Sequence, residues 1–204
     1  MKKVLITGGD GDLANAIYSQ LSSKYTIELP SRSVLDVSDA KSVESYFKHH
    51  SFDIVVNAAG TLYSSNIIDS EPELWIKDIN VNLIGVYLIS RSSVKKNKKT
   101  RIINISSTAA FNSYSDWTAY CASKAGVLKL SSGMIKDGYD VIIMCPGAIE
   151  TKIRNSLDIV NPNIMDVSEG VGPIIRAIEG DYLSGDVIFY RKGYEKKIKN
   201  SDLL

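Results

Sequence analysis

The sequence predicts a doubly wound α/β fold in a single domain, with a parallel sheet covered by helices on both faces. Three observations support this fold class. The chain has 204 residues, of which 44% are hydrophobic and 23% charged, as in an ordinary globular domain. Short apolar runs alternate with longer amphipathic segments almost from end to end. The apolar runs are hydrophobic at nearly every position, which indicates strands buried on both faces of a parallel sheet.

These runs and segments give the order of the elements. The predicted strands are residues 4–6, 25–29, 34–35, 53–57, 102–105, 141–144 and 187–190. The predicted helices are residues 13–21, 42–49, 118–134 and 167–179, with a long helical region that begins at Pro72 and continues through residue 89. Asp39 is the expected N-cap of the second helix. No Gly-, Pro- or Ser-rich linker interrupts the alternation, so one domain over residues 1–204 is predicted.

The composition argues against several classes of partner. A net charge of +1 favours neither a nucleic acid nor an anionic membrane. The longest apolar runs, about five to seven residues, are too short to cross a bilayer. Cys121 and Cys145 show neither metal-ligand spacing nor a disulfide framework, so no metal site is predicted and a reducing cytoplasm is favoured. Residues 192–204 are rich in lysine and are expected to form a solvated basic tail.

The first predicted strand leads directly into a glycine-rich turn and then a helix. The spacing is Gly8-x-x-Gly11-x-x-Ala14. Glycines at such a turn let the backbone approach a pyrophosphate, which then lies at the partly positive N-terminus of the helix. The predicted dinucleotide contacts in this turn are Thr7, Gly8, Asp10, Gly11, Asp12 and Leu13.

Two further segments follow predicted strands and belong at the carboxyl edge of the sheet, where open α/β sheets bind ligands. Asp36 and Val37 follow the third strand, and Asn57, Ala58, Ala59 and Gly60 end the fourth. All six are predicted to contact the nucleotide. The alternatives are a helix-capping or turn aspartate at position 36 and a tight turn of small residues at 57–60.

Tyr120 and Lys124 lie four residues apart, on one face of a predicted helix. An ammonium held beside a phenol stabilises the phenolate and lowers the pKa of the phenol below its usual value of about 10. Such a tyrosine exchanges a proton with an alcohol or a carbonyl near neutral pH. Ser107 lies thirteen residues before Tyr120, at the end of a buried strand. The alternative, a surface tyrosine beside a solvated lysine, accounts for the pair alone but not for its place after this strand.

Over about residues 4–190 the sequence resembles the short-chain dehydrogenase/reductase family, in its compact single-domain branch. The motifs that carry the resemblance are residues 7–14, Asp36-Val37, Asn57-Ala58-Ala59-Gly60, Asn82-x-x-Gly85, Ile105-Ser106-Ser107, Tyr120-x-x-x-Lys124 and Pro146-Gly147-x-x-x-Thr151. The resemblance implies a Rossmann-type fold. It also implies an oxidoreductase that transfers a hydride between a nicotinamide cofactor and a small carbonyl or alcohol substrate.

The resemblance implies roles for the residues that match the family's motifs. Tyr120 is the implied general acid in carbonyl reduction and the general base in the reverse reaction, and Ser107 is implied to hydrogen-bond the substrate oxygen. Lys124 is implied to lower the pKa of Tyr120 and, with Tyr120, to contact the cofactor at the nicotinamide ribose. Asn82 is implied to anchor a water in a proton relay. The residues implied to line the nicotinamide end are Pro146, Gly147, Ile149 and Thr151.

Two neighbours compete for these roles. Ser106 could replace Ser107, although the family's spacing to the tyrosine and the alternation of side chains along a strand favour Ser107. Asn80 could replace Asn82, although the match to Asn-Leu-x-Gly favours Asn82.

The end of the second predicted strand bears on the choice of cofactor. Ser31 and Arg32 lie where NADP-dependent relatives present a hydroxyl and a guanidinium to the 2′-phosphate, so NADPH is favoured and NAD remains possible. The alternative for Arg32 is a solvated loop arginine. Glu28 stands at the nominal distance for an acid that binds the ribose, but it lies inside the strand rather than at its end.

The chain departs from the family's pattern in the glycine loop. The compact reductases usually carry glycines at the positions of Asp12 and Ala14, and the spacing here is similar to that of the epimerase and dehydratase branch. Those relatives need a further C-terminal substrate domain, for which the sequence after Thr151 is too short. A nucleotide-sugar epimerase or dehydratase is therefore one alternative. A catalytically silent dinucleotide-binding sensor is the other, although all four catalytic residue types are present.

Two regions bear on assembly and substrate. From Tyr120 to Pro146 the chain is about one helical turn shorter than its relatives, in a region that builds their dimer interface. The family's usual tetramer is therefore doubtful and a homodimer possible. The expected substrate loop covers about residues 148–166. In it Lys152 and Arg154 either receive an anionic substrate or are ordinary exposed charges.

Overall fold

The computed structural model of the protein describes residues 1–155 and 161–199. Within these ranges seven strands form one sheet in the order β2-β1-β3-β4-β5-β6-β7. Their bounds are β1 (Lys3–Ile6), β2 (Thr26–Glu28), β3 (Ile54–Asn57), β4 (Arg101–Ile105), β5 (Val141–Pro146), β6 (Asp186–Arg191) and β7 (Tyr194–Lys199). Every neighbouring pair is parallel except β6 and β7, which are antiparallel.

The helices alternate with these strands. Their bounds are α1 (Asp12–Leu21), α2 (Ala40–His49), α3 (Pro72–Ile79), α4 (Gly85–Lys96), α5 (Thr118–Lys136), α6 (Lys152–Asn155) and α7 (Val167–Glu179). A π-helical turn, Asn80–Ile84, joins α3 to α4. Asp39 caps α2 as predicted, because its carboxylate accepts hydrogen bonds from the backbone N–H groups of Lys41 and Ser42. None of the described helices is long and apolar enough to cross a membrane.

Alternation along the strands divides the core into two layers. Val4 and Ile6 of β1 face one side and pack in a cluster that includes residues of α1 and α7. Leu5 faces the other side and packs with residues of α2 and α4. Helices therefore cover both faces of the sheet, which confirms the predicted doubly wound, single-domain fold.

One predicted strand does not form. Residues 34–35 lie in a turn, where the backbone N–H groups of Val34 and Leu35 both donate to the Ser31 carbonyl. Leu35 is buried while Val34 is exposed. The prediction of a strand is wrong because a run of only two apolar residues is equally compatible with a turn that buries one side chain. With no strand at residues 34–35, β2 is the edge of the sheet.

Part of the predicted basic tail, residues 192–204, forms a strand. Residues 194–199 form β7, which pairs with β6 along its full length. Tyr182 donates a hydrogen bond of 2.8 Å to Glu195, and the Arg176 guanidinium also pairs with Glu195, so α7 and β7 are tied together. The side chains of β7 are mostly exposed, and the sequence therefore lacks the apolar alternation that would have predicted a strand. Residues 200–204 lie outside the described residues.

Candidate active site

Two adjoining cavities lie at the carboxyl edge of the sheet. The larger, about 370 Å³, contains Tyr120 and is called the tyrosine cavity below. The smaller, about 220 Å³, contains Gly8 and Gly11 and is called the glycine cavity. The residues that line both cavities are Ala58, Gly60, Thr61 and Ile153. The two cavities therefore form one cleft.

Most residues predicted from the sequence line this cleft. In the tyrosine cavity they are Leu13, Ala58, Gly60, Ser107, Tyr120, Lys124, Pro146, Gly147, Ile149 and Thr151. In the glycine cavity they are Gly8, Asp10, Gly11, Arg32, Asp36, Val37, Ala58, Ala59 and Gly60. The predicted residues that line neither cavity are Thr7, Asp12, Ser31, Asn57 and Asn82. Of the expected substrate loop, residues 156–160 lie outside the described residues.

Thr7 and Asn57 support the edge of the sheet from within. The Thr7 hydroxyl accepts hydrogen bonds of 3.1 Å from the backbone N–H groups of Ala58 and Ala59. The Asn57 side chain is buried and donates to Asn104 at 2.8 Å. Their side chains thus hold the backbone that lines the cleft rather than facing the cavities themselves.

The glycine loop is shaped by close backbone approaches. Gly8 has a φ of 73°, in the left-handed region that favours glycine. A Cβ on Gly9 would lie 2.4 Å from the Leu29 carbonyl oxygen, so only glycine fits there. Gly9 was not among the predicted contacts, although a second glycine directly after Gly8 could have indicated a close backbone approach at that position. The Asn15 amide also secures the loop by donating to the Gly9 and Gly11 carbonyls.

Lys124 carries a buried ammonium at the base of the tyrosine cavity. Its side chain is 5% exposed, and Nζ donates a hydrogen bond of 3.0 Å to the Ile105 carbonyl. Nζ also lies 5.5 Å from the centroid of the Tyr120 ring. Burial lowers the pKa of Lys124 to about 8, because the charged form loses its hydration. This lysine therefore titrates close to neutral pH.

Tyr120 does not have the lowered pKa that the sequence predicted. Burial raises the pKa of its phenol to about 12, and the hydrogen bond with the Ser107 hydroxyl opposes that rise only in part. The prediction is wrong for this structure because the loss of hydration outweighs the neighbouring hydrogen bond. Tyr120 therefore holds its proton at neutral pH.

The structure distinguishes the two serines that end β4. Ser106 is 1% exposed, and its hydroxyl donates to the backbone carbonyl of Lys124 at 2.8 Å. The Ser107 hydroxyl instead lies beside the Tyr120 phenol and donates to the Pro146 carbonyl at 3.4 Å. Of the two hydroxyls, that of Ser107 is the one placed beside the phenol.

Asn82 lies in the π-helical turn with its side chain fully buried. Its Oδ1 accepts from the Thr61 N–H at 2.9 Å, and its Nδ2 donates to the Thr61 carbonyl at 2.8 Å. Asn82 thus fixes a residue that lines both cavities. π-turns inside α-helices often mark functional positions.

Asp78, four residues earlier, was missed by sequence reasoning. It is 2% exposed and accepts hydrogen bonds from the Thr61 hydroxyl at 2.5 Å and the Tyr63 N–H at 2.8 Å. An acid in an amphipathic helix normally faces water, so its burial could not be predicted from the local pattern.

Aromatic rings form one wall of the tyrosine cavity. The ring centroids of Tyr114 and Trp117 are 5.1 Å apart, and those of Trp117 and Tyr120 are 6.0 Å apart. The wall is fastened to the loop after β3, because the Ser64 hydroxyl donates to Asp116 at 3.0 Å. The Trp117 indole N–H is buried and has no hydrogen-bond partner in the part of the chain that the structure describes.

At the glycine cavity the charged groups are more exposed. Arg32 Nε donates to Asp36 Oδ2 at 3.1 Å, and the Arg32 side chain is 68% exposed. The Ser38 hydroxyl and the adjacent guanidinium lower the pKa of Asp36. Glu28 is engaged elsewhere, since it accepts a hydrogen bond of 2.7 Å from the Tyr46 hydroxyl. Its side chain therefore already has a partner in α2.

The beginning of α6 lies against the start of α1. The Lys152 N–H donates to Asp12 Oδ2 at 2.7 Å, and the Lys152 ammonium lies 3.7 Å from Asp12 Oδ1. Asp12, which stands where the family usually has a glycine, is thus paired with Lys152 of the expected substrate loop.

The chain is similar to several known proteins. A family model described as short chain dehydrogenase matches residues 2–160. The chain is 29% identical to the 3-oxoacyl-[acyl-carrier-protein] reductase FabG of Haemophilus influenzae, over 76% of this chain and 77% of that protein.

Two solved structures share the fold at 22% identity. One is a gluconate 5-dehydrogenase from Burkholderia cenocepacia J2315 in complex with NADP and tartrate, with a TM-score of 0.82 over 94% of both chains. The other is an alcohol dehydrogenase from the archaeon Thermococcus sibiricus complexed with 5-hydroxy-NADP, with a TM-score of 0.84 over 96% of this chain and 98% of that one.

Proposed function

Because the chain belongs to the short chain dehydrogenase family and is an NAD(P)-dependent enzyme of that family, we propose that it reduces a small carbonyl compound with NADPH. In reverse it would act as an alcohol dehydrogenase. The observation that carries this proposal is the tyrosine cavity, where the Tyr120 phenol, the Ser107 hydroxyl and the Lys124 ammonium lie together. The cavity opens into a glycine-lined space suited to a dinucleotide.

The residues of the glycine cavity fit a dinucleotide. The N-terminus of α1 directly follows Gly11, and a pyrophosphate is favoured at such a helix terminus. Arg32 is the candidate partner for a 2′-phosphate, since its Nε is the guanidinium nitrogen that hydrogen-bonds Asp36 within the described residues and the side chain is largely exposed. The NADP and 5-hydroxy-NADP bound in the two structural neighbours support the preference for NADPH over NADH.

The nicotinamide of the bound cofactor would supply the hydride. Tyr120 would donate a proton to the carbonyl oxygen, and its pKa of about 12 keeps the phenol in the protonated form that reduction requires. The Ser107 hydroxyl would hydrogen-bond the same oxygen. Lys124 would contribute positive charge beside the phenol. Asn82 would act by holding Thr61 in the cavity wall, because both ends of its amide are used by that residue.

The aromatic wall bears on the substrate. Tyr114 and Trp117 offer apolar faces beside Tyr120, so we propose a carbonyl compound whose small apolar group packs against them. Arg154 also lines this cavity.

Mixing the protein with NADPH and a panel of ketones and aldehydes tests this function through the loss of NADPH absorbance. We expect turnover with at least one small carbonyl compound and weaker binding of NADH than of NADPH. The proposal is wrong if NADPH binds but no compound in a broad panel is reduced.

Exposed apolar residues support a homodimer. Ile84 and Tyr87, at the π-turn and in α4, are 39% and 44% exposed, on the helix that precedes α5, and the family resemblance implies that these two helices build the dimer interface. Sedimentation analysis would distinguish a dimer from a monomer or tetramer. Two free buried thiols, Cys121 and Cys145, fit the proposed reducing location in the cytoplasm.

A further inference from the structure

Asp78 places a carboxylate in the interior beside the tyrosine cavity. Burial of a carboxylate destabilises the folded protein unless hydrogen bonds and opposite charge compensate for the lost hydration. Two donors reach it directly, the Thr61 hydroxyl and the Tyr63 N–H, both from the loop after β3. With its side chain 2% exposed, the Asp78 carboxylate thus accepts its hydrogen bonds from this loop.

That loop forms the wall shared by the two cavities. Thr61 lines both cavities, and four hydrogen bonds hold Thr61 and Tyr63: Asp78 accepts two, and Asn82 accepts one and donates one. Asp78 lies in α3, whereas Asn82 lies in the π-turn that follows. The two side chains therefore form one clamp on the loop.

The charge of Asp78 also reaches the proton-transfer groups. It opposes the effect of burial on Lys124, favouring the ammonium, and it disfavours the phenolate of Tyr120. The other titratable groups that act on these two residues are the thiols of Cys145 and Cys121. Burial raises the pKa of Cys145 to about 12, so that thiol is neutral at physiological pH.

We propose that Asp78 is a positioning residue of the active site, whose carboxylate clamps the loop at Thr61 and Tyr63 and supplies the negative charge that acts on Lys124 and Tyr120. This inference rests on the proposed reductase function for its catalytic meaning. Its geometric part rests on the hydrogen bonds alone. In this arrangement Tyr120 and Lys124 both carry protons at neutral pH, which is the state from which a carbonyl oxygen is protonated.

The test separates the charge of Asp78 from its hydrogen bonds. Asp78→Asn removes the charge, while its Oδ1 can still accept from the Tyr63 N–H and its Nδ2 can donate to the Thr61 hydroxyl. Thr61→Val is the matched control, since it removes the hydroxyl that Asp78 accepts from but keeps the carboxylate. In both variants the ionisation of Lys124 is followed by NMR of protein with ¹³C-labelled lysine, and the signal is assigned by its loss in Lys124→Arg.

We expect the titration midpoint of Lys124 to move to lower pH by about one unit in Asp78→Asn and to stay near the wild-type value in Thr61→Val. The alkaline limb of the carbonyl reduction rate should move in the same direction in Asp78→Asn. An unchanged midpoint in Asp78→Asn, or equal shifts in the two variants, would show that the charge of Asp78 has no separate role.

This measurement can fail independently of the proposed function, because the NMR titration needs neither NADPH nor substrate. Absence of turnover together with a shifted midpoint overturns the reductase but keeps the charge assignment. Turnover together with an unshifted midpoint overturns the assignment alone. If Asp78→Asn does not fold by circular dichroism, Asp78→Ser provides the neutral variant, and the same shift is expected.

Discussion

The two cavities of the cleft differ in how far their charged groups are removed from water. At the tyrosine cavity Lys124, which lines it, and Asp78, which holds its wall at Thr61, are almost fully buried. In the glycine cavity the Arg32 side chain is 68% exposed and that of Asp36 is 29% exposed. A buried charge changes the pKa of its neighbours strongly, whereas an exposed ion pair contributes only about 0–1 kcal/mol. Under the proposed function, proton transfer would therefore depend on burial, and nucleotide preference would depend on weaker surface contacts.

The largest expected effect is at Tyr120. Tyr120→Phe removes the proton donor but keeps the ring, so the turnover number should fall by about 10²–10⁴-fold. NADPH affinity, measured by fluorescence titration, should change little. A variant with near wild-type turnover would remove the basis for calling the tyrosine cavity catalytic.

The next effect concerns the loop between the two cavities. A Cβ at Gly9 would lie 2.4 Å from the Leu29 carbonyl oxygen, so Gly9→Ala should lower the free energy of unfolding by about 1–3 kcal/mol. Chemical denaturation measures this change, and NADPH binding should weaken with it. Gly133→Ala is the control: a Cβ there meets no described atom within 4 Å, and in the last turn of α5 it should raise the free energy of unfolding by at most about 0.5–1 kcal/mol. Equal behaviour of the two variants would contradict the close approach at Gly9.

The pH dependence of carbonyl reduction tests whether the buried lysine matters. Because the pKa of Lys124 is lowered to about 8, its ammonium is present below that pH and lost as the pH rises through it. We expect the reduction rate to decline by about tenfold per pH unit above this value. Rates measured across this range in buffers of constant ionic strength would show the limb. A rate that stays level up to the pKa of Tyr120, about 12, would assign no role to Lys124 ionisation.

The smallest expected effect is at the exposed end of the cleft. Arg32→Ala should weaken NADPH binding by about fivefold and leave NADH binding unchanged, because the guanidinium is largely solvated. Isothermal titration with both cofactors measures the ratio. Arg91→Ala, in the exposed part of α4, is the control and should alter neither affinity. If Arg32→Ala weakened both cofactors alike, the residue would not distinguish the 2′-phosphate.

Residues whose roles depend on spacing could be predicted from the sequence. The thirteen-residue interval from Ser107 to Tyr120, the four-residue step to Lys124 and the glycine loop after β1 all reach the same cleft. These positions are fixed by chain geometry, since parallel strands end at a common edge and residues four apart share a helical face.

Properties that depend on the tertiary environment could not be predicted in this way. The pKa of Tyr120 follows from burial, which no local pattern specifies, and it moved opposite to the expected direction. The burial of Asp78 depends on a loop that folds back onto α3. β7 escaped prediction because pairing with β6, rather than apolar alternation, makes it a strand.

The position of β7 has a consequence for the behaviour of the protein in concentrated solution. The free border of β7 carries exposed lysines, Lys196 and Lys199 among them. A strand from another molecule that added to this border would bring its own chain against those ammonium groups, which is a known barrier to edge-to-edge aggregation. The opposite border, β2, is only three residues long. Both borders of the sheet are therefore poor templates for fibril growth.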